Sequence, residues 1–214
     1  LYARDRHLKP GGALYPSRAA LYWAPARLEG ERDARLAEHA EGMADWDAFE
    51  DEMMREHAVD VRCLRAPYER EQADYHMGQA CWMELRDDQL LAPPARVGEI
   101  DLNTCSLEDA AGLREKPFRF PVPLARCAAF AGWFDTYFEG SPAEPAPSPV
   151  VLATAPADGY THWGQQVFFV PPGPVAEALE DTDGPNATCG ALSMTRQQGS
   201  VRLYDVSVDL DVDR

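Results

Sequence analysis

The sequence predicts a mostly β protein with one helical insertion. At the C-terminus apolar and polar residues alternate, which is typical of a half-buried strand, and the apolar side chains that share one face are Tyr204, Val206, Val208, Leu210 and Val212. Residues 27–58 differ in character, since eleven acidic and four basic residues accompany apolar side chains at helical spacing. Proline-rich connections separate the other short strands. These features indicate an antiparallel sandwich or barrel that carries a helical insertion.

The composition restricts the class of protein. The 214 residues include 20 Lys and Arg against 36 Asp and Glu, which gives a formal net charge of −16. No apolar run reaches the roughly 18 residues that a membrane-spanning helix needs. A chain this acidic repels phosphate backbones, so we expect no direct contact with nucleic acid and favour basic partners. Five scattered cysteines indicate free thiols in a reducing compartment.

The N-terminal segment predicts a helix followed by a strand. Residues 1–8 read as the last turns of a helix, and residues 9–12, Lys-Pro-Gly-Gly, end it because proline lacks a backbone donor and glycine tolerates a left-handed cap. Residues 13–24 are rich in leucine and aromatic residues and predict a strand that ends before Pro25. Because the sequence begins within a predicted helix, we expect it to be part of a longer protein.

The acidic stretch predicts two helices. Trp46, Phe49, Met53 and His57 recur at spacings of three, four and four, which form one stripe of an amphipathic helix, and a preceding helix is expected to end near Gly42. The apolar stripe must be buried against another surface. The insertion packs on its own domain in one interpretation and is an arm for interaction with another protein in the other.

The remaining segments predict β-strands joined by turns. Residues 98–102 and 129–134 alternate in the manner of strands, and residues 150–154 do so less cleanly. Residues 140–149 contain four prolines and are interpreted as a turn.

One loop stands out as a candidate for chemistry. His162 lies between two strand-like runs, beside Tyr160, Thr161 and Trp163 and just before two glutamines. The alternative is a structural loop in which Trp163 plugs the end of a barrel. The other histidines are His7, His39, His57 and His76; none has a second His or Cys at metal-ligand spacing, so no metal site is predicted, and His76 is placed in a polar loop. No glycine-rich phosphate loop or nucleophile motif is present.

Tyr160-Thr161-His162-Trp163, with Gln165 and the strand that follows it, resembles the Thr-His-Trp loop of type I protein arginine N-methyltransferases. Other segments resemble the family in its order: residues 1–12, 14–22, 59–64, 99–102 and 107–109. The resemblance covers essentially the whole chain. Gly164 stands where a lysine is frequent in the family, which leaves the subtype open.

The resemblance implies four segments. Residues 1–12 would end an S-adenosylmethionine-binding, Rossmann-like domain whose remainder is missing; residues 13–25 would be the first barrel strand, residues 26–75 a helical dimerisation arm and residues 76–214 a β-barrel-like substrate domain. The complete protein would transfer methyl groups from S-adenosylmethionine to arginine in histones or Arg/Gly-rich proteins, in the cytoplasm or the nucleus. The missing domain would bind the cofactor, so the chain alone would be inactive.

The resemblance also implies roles for individual residues. His162 would be catalytic, and Tyr160, Thr161 and Trp163 would contact the substrate. Trp46, Phe49 and Met53 would lie in the arm of a homodimer, which a chain without its cofactor domain could not form. Two other classes stay open: a catalytically inactive paralogue that serves as a scaffold, and an unrelated acidic β-sandwich that binds other molecules.

Overall fold

The computed structural model describes residues 1–171, 187–200 and 203–211. This part of the chain contains three α-helices, α1 (Tyr2–His7), α2 (Glu29–His57) and α3 (Arg65–Ala73), and one π-helical turn, Asp74–Gly78. Its strands are β1 (Arg18–Ala26), β2 (Cys81–Met83), β3 (Ala95–Asp101), β4 (Gly112–Phe120), β5 (Ala129–Gly140), β6 (Pro145–Leu152), β7 (Gln165–Phe169), β8 (Thr188–Arg196) and β9 (Tyr204–Asp211). None of the helices in these ranges combines the length and apolar character that a membrane crossing requires.

The strands form two antiparallel sheets. The larger sheet has the order β2-β7-β5-β1-β3, and β6 pairs with β5 as well. The smaller sheet has the order β4-β8-β9. The sequence predicts a mostly β fold with a helical arm, and the structure confirms it. Within the described residues, however, the strands form two separate sheets and do not close into a barrel.

Two hydrophobic clusters hold this β domain together. Alternate residues of β1 and β5 contribute to opposite faces of the larger sheet, so the sheet is buried on both sides. The cluster shared with the smaller sheet contains Trp23, Val97, Leu113, Phe118, Phe120, Phe130 and Leu192. The cluster on the opposite face contains Ala24, Leu28, Leu85, Ala131, Trp133, Val167 and Phe169. Leu28 immediately precedes α2, so the base of the arm belongs to the core of the β domain.

The N-terminal elements agree in kind with the sequence and differ in their limits. The predicted helix is α1. The predicted strand covers residues 13–24, but β1 begins at Arg18, where it pairs with both Tyr137 and Asp101, and it continues through Pro25 to Ala26, so the predicted end before Pro25 is wrong. Pro16 explains the later start, because it has no amide hydrogen to contribute to a ladder.

The acidic stretch forms one continuous helix, so the predicted break near Gly42 is wrong. A Cβ atom placed on Gly42 would find only Gln72 and Tyr68 of α3, at ordinary contact distances of 3.5 and 3.9 Å. Glycine within a helix costs about 1 kcal/mol relative to alanine. That cost is too small to end a helix that is well formed on both sides.

The proline-rich turn is also shorter than predicted. The sequence predicts a connection over residues 140–149, yet β6 begins at Pro145 and pairs Val150 with Phe138 and Val151 with Tyr137. This strand lies at an edge of its sheet, where prolines are tolerated because their missing donors can face away from the neighbouring strand. In contrast, β9 confirms the predicted alternation, with Val206, Val208 and Leu210 on the more buried face. Val212, the last member of the predicted stripe, lies outside the described residues.

Candidate functional site

The loop with Tyr160, Thr161, His162 and Trp163 leaves the larger sheet at a gap along one edge of β5. On this edge β6 pairs with residues 136–140 of β5, and β7 pairs with residues 129–132. Residues 133–135 therefore face neither strand. The chain between the two strands, residues 153–164, crosses this gap and contains the candidate site.

Thr154 fills the gap in place of a strand. Its hydroxyl donates to the carbonyl of Phe134 at 2.6 Å and accepts from the amide of Phe134 at 3.4 Å. Its own amide donates to Oδ1 of Asp135 at 3.1 Å. Thr154 is completely buried. One side chain thus satisfies backbone groups that a missing strand would otherwise have paired.

Gln165 closes the loop at its other end. Its Nε2 donates to the carbonyl of Thr154 at 2.8 Å, and its Oε1 accepts from the amide of Leu85 at 2.8 Å. The side chain is only 3% exposed. Residues 155–164 therefore form a compact surface loop whose two ends are joined by a buried side chain.

Trp82 supports the tip of the loop from β2. Its indole nitrogen donates to the carbonyl of Trp163 at 2.7 Å. The loop turns at Gly164, whose amide donates to the carbonyl of Thr161 at 3.1 Å and whose φ is +50°. A Cβ atom there would lie 2.5 Å from the indole nitrogen of Trp82 and 2.7 Å from the carbonyl of Met83. A side chain larger than hydrogen would have to displace β2.

The predicted site residues mostly face solvent. His162 is exposed, and Tyr160 and Trp163 are 69% and 45% exposed. Trp163 makes edge-to-face contacts with Phe134 and His162, with ring centroids 6.0 and 5.4 Å apart. Thr161 is half-buried, and its hydroxyl is buried without a hydrogen-bond partner among the described residues. The loop thus presents three rings on a surface, which is an arrangement suited to contact with another molecule.

Asp135 places a carboxyl group beneath this loop. Burial raises the pKa of Asp135, the hydrogen bond from the Thr154 amide lowers it, and the nearby charge of Asp158 raises it further. The net shift is upward, so the folded chain holds a proton more tightly than the unfolded chain does. Between the ordinary Asp pKa of about 3.9 and the higher folded value, stability consequently falls as the pH rises.

An open groove of about 490 Å³ lies beside the loop, between the first turns of α2, the π-helical turn and β2. His76 is buried in this groove, so its assignment to a polar loop is wrong. Its carbonyl accepts from Nη1 of Arg35 at 3.0 Å, and its Nδ1 lies 3.7 Å from Oε2 of Glu38. Arg35 also lies over the ring of Phe169, 5.2 Å from its centroid. These contacts fix the base of the arm against β7, the strand that follows the loop.

Farther out, the arm is held by one aromatic contact. Trp46 stacks on Tyr68 of α3 with ring centroids 4.3 Å apart, and it also packs against Phe49. Its indole donates to Glu50, and Arg65 forms ion pairs with Asp47 and Glu50. Trp46 and Met53 are half-buried, whereas Phe49 is 41% exposed. The predicted stripe is therefore covered in part by α3, and the remainder faces solvent.

The sequence alone does not reveal several residues that build the site. Thr154, Asp135 and Trp82 carry no local signal, because their function depends on the pairing between β5, β6 and β7. The pair of glutamines after the loop is a visible signal, and the burial of Gln165 explains why one of them matters. No group of three His, Cys, Asp or Glu side chains within the described ranges is suited to hold a metal ion.

Comparison with known proteins identifies the fold. Residues 31–214 match the family model described as the arginine methyltransferase oligomerization subdomain. Protein arginine N-methyltransferase PRMT10 of Arabidopsis thaliana is 33% identical over 212 residues, which are 98% of this chain and 54% of that protein. PRMT10 of Oryza sativa subsp. japonica is 35% identical over 207 residues, which are 95% of this chain and 52% of that protein. The chain spans about half the length of these curated relatives.

Solved structures give the same result. The crystal structure of Arabidopsis thaliana protein arginine methyltransferase 10 superposes with a TM-score of 0.75 at 30% identity, over 97% of this chain and 63% of that one. The Trypanosoma brucei PRMT1 enzyme-prozyme heterotetrameric complex with AdoHcy superposes with a TM-score of 0.65 at 16% identity, over 99% and 56%, and supports the fold alone. The chain therefore belongs to the protein arginine methyltransferase family and corresponds to its C-terminal region.

Proposed function

We propose that this chain is the substrate-facing and oligomerisation region of an enzyme that transfers methyl groups from S-adenosylmethionine to guanidinium nitrogens of arginine in proteins. The observation that carries the proposal is the loop of Tyr160, Thr161, His162 and Trp163, whose ends are fixed in the core while its rings are exposed. Family membership supports the reaction, and the loop is the surface through which this chain would contact the substrate.

The exposed rings suit an arginine side chain. A guanidinium group is planar and always charged, and it stacks on aromatic faces as well as binding carboxylates. Trp163 would form a wall against the guanidinium, because its ring is held by Phe134 on one side and His162 on another. His162 would support the site and accept or relay the proton that the methylated nitrogen releases. Thr161 and Tyr160 would complete the contact with the substrate chain.

The described residues do not fit the cofactor itself. All strand pairs in both sheets are antiparallel. Nucleotide-type cofactors bind where parallel strands turn into helices, at glycine-rich turns beside an acidic ribose partner. We therefore assign S-adenosylmethionine to sequence upstream of Leu1.

The arm would assemble the complete protein into a homodimer. The matching family model is described as an oligomerization subdomain, and the arm exposes the apolar side chains of Phe49 and Met54. Each arm would dock on the cofactor domain of the other subunit. The net charge of −16 would attract basic, arginine-rich substrates and raise encounter rates. The cytoplasm and the nucleus are the compartments in which we expect such substrates.

The test compares His162→Ala and Trp163→Ala with the wild type in the protein that includes the upstream sequence. Transfer of labelled methyl groups to an Arg/Gly-rich peptide should fall roughly 10-fold to 10⁴-fold in kcat for His162→Ala, while the affinity for S-adenosylhomocysteine stays nearly unchanged. Trp163→Ala should raise KM as well. Val151→Ala, an exposed substitution on β6, serves as the control and should retain wild-type rates.

Calorimetry separates the remaining alternatives. The 214-residue chain alone should give no heat of binding with S-adenosylhomocysteine, and micromolar binding would contradict an upstream cofactor site. A complete protein that binds arginine peptides but transfers no methyl group would instead support the inactive scaffold. Wild-type activity in both loop variants would return the loop to a purely structural role.

A further inference from the structure

Thr154 and Gln165, the buried polar residues at the two ends of the loop, belong to one connected set of hydrogen bonds. Thr154 and Gln165 are joined to each other, and each is also joined to a different part of the β domain: Thr154 to β5, and Gln165 to the segment after β2. Their side-chain hydrogen bonds span backbone groups of Phe134, Leu85 and Thr154 itself. Three separate stretches of chain therefore meet at the base of the loop.

These hydrogen bonds are costly to lose. A buried backbone group left without a partner costs about 1–3 kcal/mol, and the hydroxyl of Thr154 alone serves both the amide and the carbonyl of Phe134. The strands that flank the loop keep their own apolar packing, because Val167 and Trp133 lie in the cluster on the face of the larger sheet that is opposite the smaller sheet. Weakening the base should thus release the loop before it unfolds the sheets.

Besides this base, Ala155 and the buried Pro156 pack at the start of the loop, and at its tip Trp82 donates to the carbonyl of Trp163, whose ring contacts Phe134. Tyr160, His162 and Trp163 are themselves exposed. A shift of about 1 Å in a group that orients a substrate lowers rates by as much as 100-fold. The position of His162 and Trp163 consequently depends on the base of the loop.

We propose that Thr154 and Gln165 act as a clasp, a pair of positioning residues that set the orientation of His162 and Trp163 for methyl transfer. This inference rests on the proposed function. The clasp touches neither the substrate nor the cofactor and acts only through the loop. Its effect should therefore appear in turnover and in the mobility of residues 155–164, and not in the stability of the β domain beyond what the loss of one buried hydroxyl causes.

The chain offers a matched control for this test. Thr188 is also buried, and its hydroxyl donates to the carbonyl of Val122 at 2.6 Å, the same distance as the bond from Thr154 to Phe134. Thr154→Val and Thr188→Val therefore remove the same group from two buried sites. Thr154→Ser keeps the hydroxyl and should restore the wild-type behaviour.

The first measurement is hydrogen exchange on the 214-residue chain. Thr154→Val should increase exchange in residues 155–164 about tenfold or more, while Thr188→Val leaves this loop unchanged and Thr154→Ser restores its protection. Unchanged exchange in a folded Thr154→Val chain would overturn the clasp, whatever the activity of the complete protein.

The second measurement is methyl transfer by the complete protein. Thr154→Val should lower kcat about 10-fold to 100-fold, and Thr188→Val, at a temperature where both variants are folded, should not. An equal loss in both variants would reduce the clasp to a stability effect and overturn the proposal. If Thr154→Val fails to fold, Gln165→Glu replaces it, because it keeps the acceptor for Leu85 and removes the donor to Thr154. An inactive wild-type protein would overturn the proposed function instead, and the exchange data would still decide whether the clasp holds the loop.

Discussion

The β domain and the arm are built on opposite principles. The β domain buries two hydrophobic clusters, and its larger sheet is covered on both faces. In α2, the longest helix described, none of the 29 residues is buried. The β domain is therefore stabilised by contacts within this chain, whereas the outer part of the arm depends on one aromatic stack and a few ion pairs. This difference agrees with the proposal that the arm packs against another molecule.

Charge strengthens the contrast. Residues 27–58 carry a net charge of −7 from eleven acidic and four basic residues. Like charges at helical spacing destabilise a helix by a few tenths of a kcal/mol per pair. Repulsion among these side chains therefore destabilises the arm. A basic surface on a partner would relieve this repulsion.

The largest effect should come from exchanging one tryptophan in each region for alanine. Trp23 is 2% exposed and stacks on Phe130 with centroids 5.4 Å apart, so Trp23→Ala should cost about 3–5 kcal/mol of unfolding free energy. Trp46→Ala removes a half-buried stack on Tyr68 and should cost only about 1 kcal/mol. Urea denaturation of both variants checks this order. Equal losses would show that the arm is as firmly integrated as the core.

The next effect concerns assembly. Phe49→Ala removes an exposed ring from the arm and should weaken the dimer of the complete protein about 10-fold to 100-fold, with activity falling in parallel. Val151→Ala, at a similarly exposed position of the β domain, should leave the dimer unchanged. Light scattering over a range of concentrations measures both. The 214-residue chain alone should be monomeric, and a tight dimer would place the partner of the arm within this chain.

The smallest effect should be a gain in stability. Gly42→Ala places a methyl group at ordinary contact distance from α3 and should stabilise the arm by roughly 0.5–1 kcal/mol. Slower hydrogen exchange in residues 29–57, with no change in the β domain, is the expected result. Gly30→Ala is the control and should have a weaker effect, because Gly30 lies in the first turn of α2 and a Cβ atom there meets nothing within 4 Å. Faster exchange in Gly42→Ala would show that the helix needs the flexibility of glycine.

Local patterns in the sequence are enough to predict much of the fold. The alternation of β9 and of residues 98–102 indicates burial on one face of a strand, because an extended backbone places every second side chain on the same side. The spacing of Trp46, Phe49 and Met53 predicts the acidic helix. Its predicted break at Gly42 is wrong, because the cost of one glycine within a helix, about 1 kcal/mol, is too small to end a helix that is well formed on both sides.

The base of the candidate site is beyond prediction for a related reason. The loop residues Tyr160 to Trp163 stand out by their residue types and their resemblance to a family. Thr154 looks ordinary in the sequence, because threonine is common on surfaces, and the pair of glutamines is visible but does not reveal that Gln165 is buried. Their roles arise only when β6 and β7 line up along the same edge of β5 and leave Phe134 without a partner strand on that edge.

The gap in the edge of the larger sheet has a consequence for how this protein can change over evolution. Because residues 157–163 lie between the packed Ala155 and Pro156 and the tight turn at Gly164, changes among them need not disturb strand register or either hydrophobic cluster. Selection can alter the exposed rings of this loop while the sheet that carries the loop stays the same. The outer part of the loop is thus exchangeable, and under the proposed function, replacement of residues 157–163 is a rational route to new specificity.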